Sequence, residues 1–266
     1  MMGIFVEKLI GLAGRQSGRA KCDVPAGTMN DLASRKQSPA IAIAIALFCI
    51  LAIPGRPAVA AECNTSPSPG LDWGDCNKRN LIIPGSELEG ANLFSTDFTL
   101  TDLSGANLKS ANLEKATLVR SLLAGANAEK ANFARIEAYR CSFANASADG
   151  ATFAAAELQR ANFSGAQLTG VSFEKAELGR ADFSKAVLTG ARFSLANLSR
   201  ANLSNAIFEG PIVFDRAFMF LTRIEGMDLT AAQGLEQQQV DLACGNTATK
   251  LPAGLKTPAS WPCASE

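Results

Sequence analysis

Five arginines recur at every twentieth residue: Arg120, Arg140, Arg160, Arg180 and Arg200. Glu137, Glu157 and Glu177 recur with the same period, three residues ahead of Arg140, Arg160 and Arg180. A guanidinium offers a planar fork of donors that suits carboxylate and phosphate. Two readings follow. The columns form an ion-pair lattice that relieves charge stacking, each exposed pair adding little stability. Alternatively they form a docking strip for an anionic partner, such as an acidic protein surface or a phosphorylated glycan. Covalent and metal chemistry has fewer candidates. The chain has no histidine, which removes Ser-His-Asp and Cys-His nucleophilic sites and histidine-ligated metals. The acids are scattered, and neither a Gly-rich phosphate loop nor a Cys-x-x-Cys pair occurs. No catalytic, cofactor or metal site is expected, and an enzyme of unrecognised type is the least favoured class.

Cysteine is the remaining reactive type, and its reading depends on compartment. Residues 1–60 read as a targeting segment. An apolar run from Ala40 to Ile53 follows Arg35 and Lys36, is broken by Pro54-Gly55, and leads to Ala58-Val59-Ala60. That is the layout of a cleaved export signal, with cleavage after Ala60 or Ala61 and with Met29 as the start that gives a leader of normal length. The run is too short for a comfortable membrane span, so an uncleaved anchor is the alternative and no stable membrane insertion is expected after cleavage. The expected location is periplasmic or secreted. Disulfides persist in such compartments. Cys63 and Cys76 precede the central region and Cys244 and Cys263 follow it, so pairing within each terminus closes two short loops, worth about 3 kcal/mol apiece in the chain-entropy model. Cys141 is left over and reads as a buried, inert thiol.

What must position these residues is a five-residue unit. From Ser86 to Gly210 a small residue, a polar residue, Leu or Phe, and two turn-tolerant residues repeat 25 times without a slip. The small residue and the Leu or Phe are two apart, so on an extended segment both point inward and the residue between them points out. Each unit is then one short side and one corner. Four sides make a coil of twenty residues, and six coils stacked about 4.8 Å apart give a rod of roughly 30 Å. The central residues support four sides. Phe133, Phe153, Phe173 and Phe193 share one phase and Phe143, Phe163 and Phe183 the opposed phase, while Leu or Ala fills the other two between residues 130 and 195. Ala128, Ala138 and Ala148 lie on those Leu phases beside Phe rings, with Ile136 large where Ala is usual. They read as volume compensation or as a small cavity at a waist.

The units Ala91-Asn92-Leu93, Ala181-Asp182-Phe183, Ala196-Asn197-Leu198 and Ala201-Asn202-Leu203 resemble the pentapeptide-repeat family. The resemblance implies an all-β, right-handed quadrilateral β-helix. It implies little about role, because one fold hosts unrelated functions. Some members protect DNA gyrase by mimicking DNA, which needs a strongly negative rod. Residues 86–210 carry 13 acidic and 12 basic side chains, and the whole chain has formal net charge zero. Neutrality and the leader disfavour that role and any nucleic-acid partner.

The termini complete the expected organisation. Residues 61–85 read as an N-terminal loop and cap, with Trp73 and Leu81-Ile82-Ile83 covering the first coil. After residue 210 the five-residue spacing continues one residue late through Phe214, Met219, Ile224 and Leu229, making a degenerate last coil over 211–230 with an insertion at Gly210-Pro211. Leu235 to Cys244 reads as a short helix ended by Gly245, within a C-terminal cap over 231–266. The favoured function is a non-catalytic exported module whose rigid rod binds an unknown protein or an anionic component of the cell envelope, with self-association end to end or side to side left open.

Overall fold

A computed structural model describes residues 62–263; the leader, Met29 and the cleavage site lie outside the described residues. The described chain is a right-handed quadrilateral β-helix. Each outward residue forms a parallel bridge with the residue twenty positions on, from Asp72–Asn92 to Val187–Ile207.

The local chemistry of the repeat explains the coil. Take residues 91–95. Leu93 N–H donates to Asn112 O at 2.7 Å and Ser95 N–H to Glu114 O at 2.9 Å, both in the next coil. Asn92 N–H donates to Leu71 O in the preceding coil at 2.8 Å, and Ala91 N–H closes the corner onto Leu88 O at 3.1 Å. One amide of five remains, that of Phe94. It donates to the side-chain oxygen of Asn92, two residues back, at 3.4 Å. The same ring is tighter at Ser164–Asn162, 2.9 Å, and at Ser184–Asp182, 2.9 Å. Asn and Asp are common at the outward position because a short acceptor there satisfies the one amide that the ladder leaves over. At the corner, every residue numbered by a multiple of five from Gly70 to Gly210 has φ between 53° and 88°. Left-handed backbone favours Gly and Asn, yet Lys, Arg and Leu also occupy these corners.

The inward residues form one continuous core. Phe133, Phe153, Phe173, Phe193 and Phe214 stack along one side at centroid separations of 4.6, 5.2, 5.1 and 5.5 Å. Phe143, Phe163 and Phe183 stack on the opposed side at 4.9 and 5.0 Å. The two stacks meet edge to face across the interior at 5.4–5.7 Å. Both arrangements are favourable for aromatic quadrupoles. Because rings from two sides meet in the middle, the other two sides have room only for Leu or Ala. Ala128, Ala138 and Ala148 are buried there, and Ile136 is fully buried beside Ala138.

The array begins earlier than the repeat signature. Residues 71–85, expected as a loop and cap before a solenoid starting at residue 86, already form three sides of a coil, bridged through Asp72, Asn77 and Ile82. Their inward residues are Trp73, Lys78 and Ile83, which hide the pattern. Ile82 itself points out and is 81% exposed, so it covers nothing. The real cap is polar and covalent. Lys78 sits where Leu or Phe is usual, 3.5 Å over the Trp73 ring, and donates to Cys63 O at 2.5 Å. Cys63 is joined to Cys76 by a disulfide.

At the other end the one-residue insertion falls between Ile207 and Val213: Val187–Ile207 is a twenty-residue bridge, and Arg192–Val213 spans one more. Strands β1 (Ile212–Val213) and β2 (Ala232–Gln233) pair in parallel. Helix α1 (Gln237–Leu242) is shorter than the expected Leu235–Cys244. Glu236 and Ala243 are extended, and Cys244 is bridged to Arg223 as part of a further coil. Gln239 of α1 donates to Phe214 O and Ala217 O at 2.8 and 2.9 Å, satisfying carbonyls at the rod's end. Gly245 does not end the helix. It lies against the Trp261 ring, which a Cβ would meet at 2.3 Å. Trp261 donates to Ala243 O at 2.7 Å, and Cys244–Cys263 is disulfide-bonded. Among the described residues no helix is long and apolar enough to cross a membrane.

Cys141 is fully buried, 3.3 Å from Ser121 Oγ, and desolvation pushes its thiol up to about 12. Thiolate is the reactive form, so native Cys141 reacts with a bulky thiol reagent only as fast as the rod unfolds; labelling in native buffer at the rate of the urea-unfolded protein would contradict this burial. Ala138 is fully buried beside Ile136 and the Phe stacks, so Ala138→Leu is expected to overpack the waist and destabilise the rod by about 1–3 kcal/mol. Urea titration checks this, and stabilisation would reveal a void.

Candidate functional site

The arginine column occupies one corner, and its backbone is left-handed throughout. Arg120, Arg140, Arg160, Arg180 and Arg200 have φ of 57°, 57°, 61°, 61° and 57°. All are exposed. The glutamates stand on the adjoining side as outward residues, bridged Glu137–Glu157 and Glu157–Glu177, and are exposed as well. The structure therefore brings both columns to one side and its bordering corner, called here the Glu side and the Arg corner.

The expected lattice between them is absent. Among the described residues, Arg120, Arg140, Arg160 and Arg180 form no ion pair with any glutamate of the column. The ion pairs that do form show why. Corner cations reach acids at the fourth position of a unit: Arg135 pairs with Glu114 at 2.9 Å and Lys130 with Glu129 at 3.3 Å. An outward acid is reached from the fourth position, as Arg79 reaches Asp97 at 3.3 Å. At the Arg corner the fourth-position residues are Val119, Tyr139, Gln159, Gly179 and Ser199, none of them acidic. Arg140 turns to the ring of Tyr139, 5.2 Å from its centroid. Glu177 accepts from Asn197 Nδ2 at 2.8 Å.

The glutamates also break the local rule for outward residues. None of the three accepts from the amide two residues on, as Asn and Asp do elsewhere. The amides of Tyr139, Gln159 and Gly179 consequently have no acceptor within the described chain. Between the upper arginines the surface is hollowed: a shallow depression of about 480 Å³ is lined by Gln159, Arg160, Gly179, Arg180, Ser199, Arg200 and Phe220. Gly179 opens it. No left-handed φ requires that glycine, and a Cβ there would meet its nearest atoms at an ordinary 3.9 Å. The lining residues include no acid, although the surface they expose there is mostly apolar.

Sequence reasoning missed the aromatic end of this side. Phe218 continues the Glu column one coil beyond Asn197, and Phe220 follows at the fourth position. Their rings are stacked at 6.4 Å, and the two residues are 51% and 42% exposed. The signal was available: in Ala217-Phe218-Met219-Phe220-Leu221 an aromatic holds the outward phase that other units give mostly to polar residues. Among the described residues no group of His, Cys, Asp or Glu is arranged to hold a metal ion.

Comparison with known proteins matches the geometry. The family described as pentapeptide repeats (8 copies) matches residues 79–109 and 101–136, and the pentapeptide repeat region matches residues 136–210. Among solved structures, the chain is similar to HetL of Nostoc sp. strain PCC 7120, a pentapeptide repeat protein involved in heterocyst differentiation regulation. That pair is 22% identical over 72% of this chain and 93% of HetL, with a TM-score of 0.46. It is likewise similar to QnrB1, a plasmid-mediated fluoroquinolone resistance protein, at 22% identity over 71% of this chain and 91% of QnrB1, TM-score 0.49. A pentapeptide repeat protein from the Arabidopsis thaliana thylakoid lumen is 32% identical over 42% of this chain and 77% of its own, TM-score 0.28. No curated relative matches the chain.

If the arginines serve binding and not the fold, the fold should tolerate their loss. Arg160→Gly and Arg180→Gly remove a left-handed side chain in exchange for a more flexible backbone, two effects of about 1 kcal/mol and opposite sign. Each should move stability by less than about 1 kcal/mol in urea titration, whereas a drop of several kcal/mol would make the column structural.

Proposed function

We propose that this protein, which belongs to the pentapeptide-repeat family through residues 79–210, is a non-catalytic exported module that presents the Glu side and Arg corner of a rigid rod to a partner. One observation carries the reading. Arginines and glutamates recur on adjoining surfaces of three consecutive coils, yet Arg140, Arg160 and Arg180 form no ion pair with the Glu column in the described chain. Other outer charges are paired, as Lys109 is with Glu129 at 2.9 Å and Lys250 with Asp228 at 2.8 Å. A surface that leaves charges uncompensated at strained corners is suited to meeting charges from outside.

The rigidity follows from the fold. Repeat rods offer long regular faces whose spacing is fixed by the backbone ladder, so side chains on neighbouring coils are preorganised for a periodic partner. Export is supported by the leader pattern and by two disulfides, one closing each end, since disulfides persist mainly in oxidising compartments. Cell fractionation with in-cell crosslinking and mass spectrometry tests both parts. The protein should fractionate outside the cytoplasm, and replacing Arg140, Arg160 and Arg180 together by Gln should remove its cross-links. A cytoplasmic protein would contradict export, and an unchanged cross-link pattern would make the strip irrelevant to binding.

A further inference from the structure

Three features of one surface fit one another. The first is the acid column Glu137, Glu157 and Glu177. The second is the basic column Arg140, Arg160 and Arg180, with the acceptor-less amides of Tyr139, Gln159 and Gly179 lying between the two columns. The third is the exposed aromatic pair, with Phe218 in the phase of the acids and Phe220 beside the phase of the arginines.

We propose that the protein pairs side to side with a second copy of itself, the two rods parallel, through the Glu side and Arg corner. This names the partner for the interaction surface described above and rests on that reading. The symmetry is dictated by the columns. A two-fold axis parallel to the rods and midway between the columns carries each column onto the other. Every glutamate then faces the arginine of the same coil in the second copy. A two-fold axis perpendicular to the rods, in the plane of contact, leaves each column at its own lateral position and sets Glu on Glu. Only the parallel pair is self-complementary. Both rods have the same coil spacing, so the match repeats over the three coils without drift in register.

The same operation treats the aromatic pair in the same way. Phe218 lies over the partner's Phe220 and Phe220 over the partner's Phe218, because both copies keep the same level along the rod. Exposed ion pairs alone hold little and are screened by salt. Four phenyl rings brought together at one end supply the apolar contact that such an interface needs at its centre of affinity. The hollow at Gly179 accommodates the approach. The incoming Glu177 carboxylate enters a surface lined by Arg160 and Arg180, with the unpaired amides of Gln159 and Gly179 as further donors. The hollow belongs to the coils of Gln159, Gly179 and Ser199, while Tyr139 holds the equivalent position two coils below Gly179.

Sedimentation velocity on the purified protein tests the pairing. The expected result is a concentration-dependent monomer–dimer equilibrium, weakened about tenfold when salt rises from roughly 0.05 M to 0.5 M. Two variants isolate the columns: one carries Glu137→Arg, Glu157→Arg and Glu177→Arg, the other Arg140→Glu, Arg160→Glu and Arg180→Glu. Each alone should be monomeric, with the circular dichroism of the native rod, and an equal mixture of the two should dimerise. Gly179→Tyr, which fills the hollow with the side chain already borne by the equivalent corner at Tyr139, should weaken the dimer more than tenfold. Gln159→Cys and Ser199→Cys report orientation, because a parallel axis brings each position to its own copy and both should form intermolecular disulfides. A native protein that stays monomeric at all concentrations overturns the pairing, as does a dimer indifferent to both reversals. If monomeric protein still gives Arg-dependent cross-links to other proteins, self-pairing fails and the interaction role stands; if neither is seen, both fail.

Discussion

The backbone ladder between coils is the interaction on which everything else depends. Each five-residue side sends three amides into neighbouring coils, closes its corner with a fourth, and leaves one to the outward side chain. That distribution is possible only if the corner residue adopts positive φ, because the chain must turn tightly enough for the next amide to face along the rod. The left-handed corner is thus the condition for the ladder. It holds at 29 consecutive corners from Gly70 to Gly210 whether the residue is Gly, Asn, Lys, Arg or Leu. Non-glycine residues at such corners are strained, and the ladder over-determines them.

The closed coil then governs the core. Four sides leave a narrow interior, and the amount of side chain per coil is fixed by the backbone. Two opposed Phe sides satisfy that volume when their rings meet edge to face. The intervening sides must then be small, which is why Ala138 can be central when Ile136 occupies the small position next to it. The ends are a separate problem, since a terminal coil exposes core and unpaired backbone groups. The N-terminal end solves it with Lys78 over Trp73 and a disulfide. The C-terminal end uses the Gln239 amide on two carbonyls, the Trp261 ring on Gly245, and a second disulfide.

Periodicity made most of this legible in the sequence. The inward pairing, the opposed Phe phases and the slip after Gly210 all follow from counting, because one residue type recurs at one geometric position, while the four sides come from the resemblance and agree with the Phe phases. Burial of Cys141 was readable for the same reason. What was not legible lies where composition departs from geometry. The first coil escaped because Trp73 and Lys78 fill inward positions that Leu or Phe fill elsewhere, while the backbone keeps its register. Helix α1 was read too long because Glu236 and Ala243 are extended, and Cys244 belongs to a coil. The charge columns were located correctly in phase but not in direction. Spacing places Glu157 and Arg160 three residues apart, but it does not reveal that Arg160 sits at a left-handed corner and forms no ion pair with Glu157. Tertiary context decides direction, and the fourth-position residues, none of them acidic, decide pairing.

That distinction bears on how function is inferred for repeat rods generally. A column of like residues on a solenoid is the default consequence of repetition, so its regularity says nothing about use. What carries information is a position where the repeat departs from its own local rule without a compensating contact. Most outward positions here hold Asn, Asp, Ser or Thr, and many of these satisfy the spare amide. Glu137, Glu157 and Glu177 do not, although spare amides such as those of Ala124, Ala144 and Asp149 are found on other sides as well. Corner cations such as Lys130, Arg135 and Lys175 have a fourth-position acid in reach; at the Arg corner that position holds no acid. Phe218 breaks the polar rule on the same side, one coil farther. Columns opposite in charge, related by a single symmetry operation and joined by an aromatic pair one coil farther on the same side, are more informative than the 25 regular units that display them. The regular units explain why the rod stands, and the departures define the side on which a partner can bind.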